Sequence, residues 1–529
     1  MSVQPVETAS ERLECFAPGT GQRIGSVPVS SPEQVRAAVA RSREVQQADW
    51  SKRTLAQRIE VMQVFADLLI ERSAELCALL SLECGKPESE AYIAEVLTAI
   101  DLTRYYAKLA PKLLRRKYIP LHLLIHRTSY VHYTPKGVIG IIAPWNFPFI
   151  IPFGDVIIAL MTGNGVVVKP SEETPLVALK GLELLLEAGV PEGLVEVVCG
   201  WGPTGAALCT SGVDKVVFTG SVATGKRVAV ACAEQLIPVT LELGGKAPAV
   251  VLPSANVERA ARGLVYGAYV NSGQICVSVE RVYVHRSMHD ELVVRIVERV
   301  NKLRHGDPQA DEVDVGCVIS SNQIAIAQRQ IAQAVEAGAQ VAAGGKTPDM
   351  PGQFFEPTVL TGVNNQMDVA RTETFGPLMP IIVYDTVEEA IELANDTHLG
   401  LMAYVFAGTA AEGRAVAEQI EAGTVMVNDV LTTYAAPETP WRGMKKSGLG
   451  VVHGDGGMLA MCEARHVHSQ WVPHLSNEIW WYPIRDGFYD FVLRAIRLVH
   501  GRGFKRLSHT SVKPRSIDPM TVLPERCES

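Results

Sequence analysis

One cysteine lies where a thiol could do chemistry. Cys276 is part of the segment Asn271-Ser-Gly-Gln-Ile-Cys276-Val-Ser-Val-Glu-Arg281, where small and amide residues flank it. The apolar run Val282-Tyr-Val284 follows and predicts a strand. A thiol at this position can be a nucleophile or a small buried apolar group, and burial is the commoner outcome for an isolated cysteine. The segments that accompany it in the fold therefore decide its role.

Four further segments carry the residue types that such a thiol would need. They are Pro144-Trp145-Asn146-Phe-Pro148, Phe218-Thr-Gly-Ser221, Leu241-Glu242-Leu-Gly-Gly-Lys246 and Glu373-Thr-Phe375-Gly-Pro377. Together with the Cys276 segment they closely resemble the NAD(P)-dependent aldehyde dehydrogenase superfamily, from about residue 15 to about residue 470. The resemblance implies an α/β fold with a Rossmann-like cofactor domain, a second α/β catalytic domain and a small β oligomerisation arm.

The resemblance implies catalytic roles for three residues. Oxidising an aldehyde to an acid requires a tetrahedral carbon bearing an alkoxide, which a thiolate forms by adding to the carbonyl. Cys276 matches the family's nucleophile, Asn146 and the Cys276 backbone N–H match its oxyanion donors, and Glu242 matches the base that activates water against the thioester. Two structural alternatives stay open: Asn146 could cap a turn before Pro148, and Glu242 could pair with Lys246.

A glycine-containing segment predicts the position of the cofactor diphosphate. Gly220, Ser221 and Gly225 follow a predicted strand and begin a predicted helix, which would place free N–H groups and a positive dipole end beside an anion. The spacing is not the GxGxxG fingerprint and is weak evidence by itself. It does match the atypical dinucleotide signature of the resembled family.

Five other residues are predicted to contact the cofactor. Lys169 and Glu172 follow a strand of buried type and, three residues apart, can both reach a ribose. A carboxylate at Glu172 accepts hydroxyl hydrogen bonds but repels a 2′-phosphate, which favours NAD over NADP. The resemblance implies that Glu373 holds the nicotinamide ribose, with Phe375 and Trp145 nearby. Core packing is an open alternative for Phe375.

Alternating strands and helices organise the middle of the chain. Five short apolar runs, separated by helical segments, predict a mostly parallel sheet: Val138–Ile142, Gly165–Val168, Val195–Val198, Lys215–Phe218 and Val239–Leu241. A second alternating region has predicted strands near 282–284, 380–384 and 424–428. Other elements are predicted as helices over 33–45 (after the start signal Ser31-Pro32), 55–80 and 88–113, a β-hairpin over 124–133 and a strand over 466–471.

These elements and the resemblance give four predicted regions. Residues 1–118 and 138–243 form the NAD-binding domain, and residues 244–430 form the catalytic domain. Residues 119–137 and 455–475 form the oligomerisation arm, so we expect a homo-oligomer, either a dimer or a tetramer. Residues 476–529 form a C-terminal basic amphipathic tail.

The composition is that of an ordinary globular protein. Of the 529 residues, 47% are hydrophobic and 20% are charged, and the net charge of −8 argues against a nucleic-acid partner. Ten cysteines without CxxC spacing or a histidine cluster indicate neither a metal site nor a disulfide framework. The polar segment Met1–Glu14 does not resemble a signal peptide, and no run approaches the ~18–20 apolar residues of a membrane span. These features predict a cytoplasmic protein.

The tail contains a helical pattern with a broad apolar face. From Phe488 to Val499 apolar side chains cover one side, while Asp490, Arg494 and Arg497 form a polar stripe. Residues 485–529 contain nine basic and five acidic residues, a net +4, which leaves −12 for the other 484 residues. The helix could pack on its own domain or a neighbouring subunit, or lie on an anionic membrane surface. Packing is favoured, because the helix is only ~20 Å long at 1.5 Å per residue.

The substrate is less well indicated by the sequence. No arginine or second cation lies next to Cys276 to hold an acidic substrate, and Ile151 and Phe153 stand in the expected channel, so a hydrophobic aldehyde is predicted. Three rival functions are acyl transfer to coenzyme A, thiol hydrolysis without nicotinamide, and a non-catalytic structural role on the same scaffold. Glu242 argues against the first, the cofactor residues argue against the second, and the presence of Cys276 argues against the third.

Overall fold

The computed structural model describes residues 11–470, 478, 480–484 and 486–502. The described chain divides into two compact units, with boundaries after residues 117, 130 and 465. The first unit contains the residues up to 117 and residues 131–465, and the second contains residues 118–130 and those from 466 onward. All the site residues considered below lie in the first unit.

The first unit begins with two strands and five helices. Their bounds are β1 Arg12–Phe16, β2 Arg23–Pro28, α1 Pro32–Ala48, α2 Leu55–Glu71, α3 Ser73–Cys84, α4 Glu88–Ala91 and α5 Thr98–Leu113. Ser31 caps α1 and Pro32 is its first residue, which confirms the predicted start signal. The single helix predicted over 55–80 is wrong, because Arg72 leaves helical geometry (φ −102°, ψ 15°) and separates α2 from α3. The helix predicted over 88–113 is continuous, but Tyr92–Leu97 forms a π-helical turn inside it.

The hairpin predicted over 124–133 is placed wrongly. Strand β3 is Lys117–Tyr118 and its neighbour β4 is Arg127–Pro135, so the first strand of the pair lies upstream of the predicted range. Leu124 belongs to the turn, where its carbonyl accepts the Arg127 N–H at 2.9 Å. The alternating pattern continued through this turn and hid it.

The region 138–242 folds as the predicted parallel sheet with crossover helices. Its elements are β5 Val138–Ile142, α6 Ile150–Met161, β6 Gly165–Lys169, α7 Pro175–Glu187, β7 Val195–Val197, α8 Gly202–Cys209, β8 Lys215–Thr219, α9 Val222–Glu234 and β9 Val239–Glu242. The strands are parallel in the order β9-β8-β5-β6-β7, and each predicted strand is confirmed to within one residue. Because the carboxyl ends of parallel strands meet at one edge, Asn146, Lys169, Gly220 and Glu242 are brought to the same edge.

A second, seven-stranded sheet follows. Its region contains β10 Ala247–Val251, α10 Val257–Tyr269, β11 Val279–His285, α11 His289–Val300, α12 Ser321–Glu336, β12 Gln340–Ala343, β13 Thr358–Thr361, α13 Asp368–Arg371, β14 Leu378–Tyr384, α14 Val387–Asn395, β15 Leu399–Gly400, β16 Met402–Phe406, α15 Ala410–Ala417 and β17 Thr424–Val427. The sheet order is β12-β13-β14-β11-β10-β16-β17, parallel except at β12. The three strands predicted here are confirmed as β11, β14 and β17. Cys276 precedes the buried strand β11.

The last described elements are β18 Met444–Lys445, β19 Gly448–Leu449, α16 Gly454–Ala460, β20 Cys462–Gln470 and α17 Phe488–His500. Strand β19 joins the first sheet antiparallel to β9, with Gly448 opposite Glu242. Helix α16 was not predicted, because three of its seven residues are glycines, which are unfavourable in a helix. Strand β20 starts upstream of the predicted strand over 466–471 and neighbours β4, while residue 471 lies outside the described residues. Among the described helices, none has the length and hydropathy needed to cross a membrane.

Candidate active site

The loop that carries Cys276 has an unusual backbone. Between α10 and β11, Asn271 (φ 50°), Ser272 (φ 54°) and Gly273 (φ 73°) are successive left-handed residues. Such a run is strained for residues with a Cβ and persists only where surrounding contacts fix it. The Asn271 N–H donates to Glu90 at 2.9 Å, and the Ser272 hydroxyl donates to the Gly316 carbonyl at 3.0 Å. The thiol therefore stands on a loop that hydrogen bonds tie to neighbouring segments.

Asn146 is directed at this loop. Its side-chain N–H₂ donates to the Gln274 carbonyl at 2.9 Å, two residues before the thiol. The Asn146 carbonyl accepts from Lys86 Nζ at 2.7 Å and from the Asn271 amide at 3.0 Å. The Asn146 side chain therefore contacts the Cys276 loop and does not cap a turn before Pro148.

A buried ion pair supports Asn146 from behind. Lys86 pairs with Glu95, and both side chains are fully buried. The second Glu95 oxygen accepts the Phe149 N–H at 2.8 Å at the start of α6. Nothing local in the sequence shows that Lys86 meets a carboxylate nine residues later.

Glu242 ends β9 as a buried carboxylate. It is 6% exposed, and neither of its carboxylate oxygens has a hydrogen-bond partner in the described chain. Burial, and then the negative charge of Asp155, raise its pKa well above the ordinary value; the Trp441 indole lowers it less and lies outside hydrogen-bonding geometry. The alternative pairing with Lys246 is wrong, since that lysine pairs with Glu280. The Glu242 carboxylate is therefore available to a water or a substrate.

Cys276 and Glu242 line the same cavity. It has a volume of about 210 Å³, and most of its wall is apolar: Ile93, Ala94, Phe147, Ile150, Ile151, Leu243, Val270, Ile275, Val277, Leu401, Leu431, Ala435, Trp441 and Val452. Asp155 also faces the cavity, and burial raises its pKa to about 7. No described residue of this wall is Lys, Arg or His.

The surroundings of the Cys276 thiol favour its protonated form. Burial, followed by the charges of Glu373 and Glu242, raises the pKa of Cys276 to about 12, although the N–H groups of Cys276 and Val277 lower it. A thiol with such a pKa is a poor nucleophile near neutral pH. The site therefore requires a proton acceptor or an added positive charge before the thiol can attack.

The predicted diphosphate segment has the expected shape. Strand β8 runs into Gly220 and Ser221, and the Ser221 hydroxyl accepts the Thr224 N–H at 3.3 Å as the cap of α9. A Cβ on Gly225 would overlap the Leu243 side chain, so glycine allows α9 to lie against the connection after β9. The first N–H groups of α9 could therefore bind an anion.

The predicted ribose residues are adjacent after β6. Lys169 Nζ lies 3.2 Å from a Glu172 carboxylate oxygen. The lysine side chain is nearly buried, whereas 41% of the glutamate side chain is exposed. An exposed carboxylate held by a lysine can accept two hydroxyl hydrogen bonds from a ribose.

The predicted nicotinamide-side residues meet the connection between the two sheets. Glu373 accepts the Gly245 N–H at 2.8 Å, and burial and Glu280 raise its pKa to about 8. Phe375 is half-buried with φ 53°, and its ring stands edge-on to Trp145 at 5.3 Å. Its surroundings are therefore not those of a core phenylalanine.

Glu280 organises this side of the site and was missed in the sequence. It accepts the Thr374 and Phe375 N–H groups, each at 2.8 Å, and pairs with the buried Lys246. The only local signal was a glutamate at the start of an apolar strand. Such a charge requires partners when buried, but the sequence does not name them.

Comparison with known proteins agrees with this geometry. The model of the Aldehyde dehydrogenase family matches residues 6–467. The chain belongs to the aldehyde dehydrogenase family. A protein of Mycolicibacterium smegmatis named a putative succinate-semialdehyde dehydrogenase (NADP+) is 38% identical, over 91% of this chain and 94% of that protein. A 4,4'-diapolycopene aldehyde oxidase of Methylomonas sp is 36% identical over 84% of each chain.

Solved aldehyde dehydrogenases also have the same fold. The NAD+ complex of the Bacillus cereus enzyme superposes with a TM-score of 0.84 at 35% identity, covering 87% of this chain and 94% of that one. An NAD-dependent enzyme of Sinorhizobium meliloti gives 0.85 at 35% identity, covering 89% and 93%. The protein is thus an oxidoreductase that converts an aldehyde to the carboxylic acid. This confirms the predicted family, fold class and reaction.

The described residues fit a nicotinamide dinucleotide. The open end of α9, the Lys169–Glu172 pair and the Glu373 segment offer, in turn, an anion site, a ribose site and a buried carboxylate. No cluster of three or more His, Cys, Asp or Glu side chains in the described chain could hold a metal ion. None of the nine described cysteines forms a disulfide bond.

Proposed function

We propose that this aldehyde dehydrogenase oxidises an uncharged, largely apolar aldehyde with NAD, through a covalent intermediate on Cys276. One observation carries the proposal: the thiol and the unpaired Glu242 carboxylate share a cavity whose described wall is mostly apolar and contains no cation. A substrate with its own carboxylate would enter this buried, mostly apolar cavity without a counter-ion, which is unfavourable.

Each catalytic residue has one role. The Cys276 thiol gives its proton to solvent, since the positive charge of bound NAD would lower its pKa, and the thiolate adds to the carbonyl carbon. The Asn146 amide together with the Cys276 backbone N–H stabilises the oxygen that gains the charge. When bound, NAD supplies the hydride acceptor and a positive charge beside the site. Loss of hydride from the tetrahedral carbon leaves a thioester. Glu242 then removes a proton from water, whose oxygen displaces the thiolate and gives the acid.

The channel can accommodate a long substrate. A second cavity of about 440 Å³ shares four wall residues with the first: Ile93, Ala94, Tyr266 and Val270. Ile93 and Tyr266 are more than half exposed. Ile93 and Ala94 belong to the π-helical turn before α5, a feature that is frequent at functional sites. An aldehyde chain could extend past these residues beyond the first cavity.

NAD, rather than NADP, is proposed as the cofactor. The support is the exposed Glu172 carboxylate, which would lie against a 2′-phosphate. The two kinds of relative differ on this point, since the named mycobacterial protein is NADP+-dependent and the Bacillus cereus structure holds NAD+. The choice of NAD therefore rests on Glu172 of this chain and not on the cofactor of a relative.

We also propose a division of the chain into domains and a homo-oligomeric assembly. We place the NAD-binding domain at 1–118 and 138–243, the catalytic domain at 244–430, and an oligomerisation arm at 119–137 and 455–475. The exposed strand β20, at the edge of its three-stranded sheet, could pair with a second copy in a cytoplasmic homodimer or tetramer. Sedimentation of the purified protein would give the subunit number.

The substrate proposal is tested with matched aldehydes. We would measure NADH formation with butanal, hexanal and decanal, and with succinate semialdehyde as a four-carbon aldehyde bearing a carboxylate. Because the apolar cavity excludes the unpaired carboxylate of succinate semialdehyde, kcat/KM for butanal should be at least about tenfold higher. Faster turnover of succinate semialdehyde would overturn the proposal. Dependence of turnover on coenzyme A would instead support the acyl-transfer alternative.

A further inference from the structure

The tail helix has an apolar surface that is exposed. Helix α17 forms over Phe488–His500 as the sequence predicts, but none of its residues is buried. Tyr489, Phe491, Ile496 and Leu498 are each at least half exposed. Exposing apolar side chains of this kind to water is unfavourable by roughly 25 cal/mol per Å² of accessible apolar surface.

Aromatic residues extend this surface upstream. Trp480 and Trp481 are 42% and 53% exposed, and Tyr482 is 88% exposed. Tryptophan and tyrosine combine a large apolar ring with one polar group, which suits the boundary between lipid chains and headgroups. Exposed aromatics beside an amphipathic helix indicate a surface whose partner is apolar on one side and wet on the other.

The charge of the tail favours an anionic partner. Arg494 and Arg497 lie on the polar stripe of α17, and Arg502, Lys505 and Arg506 follow in the sequence. Residues 485–529 carry a net +4, whereas the other 484 residues carry −12. Pairing two copies of the tail would bring like charges together, but an anionic lipid surface complements them.

We propose that α17 and the neighbouring aromatic residues bind an anionic lipid surface. The helix lies in the plane of the interface, with its apolar side chains among the acyl chains and Arg494 at the headgroups. Apolar aldehydes partition into the same phase, so this attachment would concentrate the substrate class proposed above. Lipid binding by the tail does not depend on the substrate class, because it requires neither cofactor nor turnover.

The experiment is vesicle co-sedimentation of the full chain. The probes are vesicles of phosphatidylcholine alone and of phosphatidylcholine with phosphatidylglycerol. We expect binding to the anionic vesicles, with weaker binding as salt is raised, because the Debye length shortens to roughly 10 Å at 0.1 M. Trp emission should shift to the blue on binding.

A double variant, Phe491→Asp with Leu498→Asp, tests the face itself. Placing two charges on the buried side of an interfacial helix should lower vesicle affinity at least about tenfold, with hexanal turnover unchanged. The matched control is Leu236→Asp, at a 91% exposed position outside the tail, which should bind vesicles normally. Absence of wild-type binding to anionic vesicles, or binding that survives the double variant, would overturn the proposal. A change of oligomer size in the double variant, without wild-type vesicle binding, would assign the face to a neighbouring subunit instead.

Discussion

Asp155 and Glu242 face one cavity, and the charge of Asp155 raises the pKa of Glu242. The two carboxyls come from different elements, Asp155 from α6 and Glu242 from the end of β9. The positive charge of Lys215 lowers the pKa of Asp155, but less than burial raises it. The proposed base is thus tuned by an acid that the sequence did not identify.

Replacing Asp155 by Asn should therefore move the pH profile. Glu242 works as a base only when ionised, so activity is present above its pKa and is lost as pH falls through it. Removing the Asp155 charge lowers that pKa, and the acid limb of kcat should shift to lower pH. The control is Asp101→Asn at an exposed position of α5, which should leave the profile in place. An unmoved or upward-shifted limb in Asp155→Asn would contradict this coupling.

Glu242→Gln should separate the two halves of the reaction. Without a base, hydrolysis of the thioester should slow by about 10²–10⁴, while its formation continues. Rapid mixing should show a burst of NADH close to one per active subunit, followed by a slow steady state. If burst and steady state fell by the same factor, Glu242 would act before or during hydride transfer.

Cys276→Ala should abolish turnover and leave NAD binding and folding intact. The expectation follows from the thiol being the group that bonds to the substrate. Turnover and NAD binding would be compared with Cys209→Ala, a buried cysteine of α8, which should remain active. Residual activity within about tenfold of wild type, a loss of only ~1.4 kcal/mol, would exclude Cys276 as the nucleophile.

Glu172→Ser should narrow the preference for NAD over NADP. The substitution removes the carboxylate that would repel a 2′-phosphate and releases Lys169, which could then meet that phosphate. The ratio of kcat/KM values for the two cofactors measures the effect. Glu173→Ser, at the next and exposed position, is the control. A wild-type enzyme that used both cofactors equally would contradict the assignment.

Local pattern was enough for the strands and for the residues that lie at their ends. Strands β5 and β6 of the first sheet are buried along their whole length and consist mostly of apolar residues, and the bounds of the five parallel strands could be predicted to within one residue. Asn146, Glu242 and Cys276 could be named because their segments resemble a family. Their contacts, by contrast, come only from the fold.

The missed features depend on partners distant in sequence. Glu95 is nine residues from Lys86, and Glu280 is 34 residues from Lys246. No periodic pattern connects such pairs, because each charge is paired only after the chain is folded. The break at Arg72 was missed because the helical spacing of apolar residues continues across it.

Glu280 also has a consequence for how the enzyme can diverge. The thiol lies four residues before Glu280, which accepts hydrogen bonds from the Thr374 and Phe375 N–H groups on the proposed cofactor side. The short segment from Cys276 to Glu280 therefore sets the distance between the thiol and the proposed cofactor site. The wall residues Leu431, Tyr434 and Ala435 belong to a separate segment. Substitutions there can alter which aldehyde is accepted while the spacing between thiol and cofactor side stays constant.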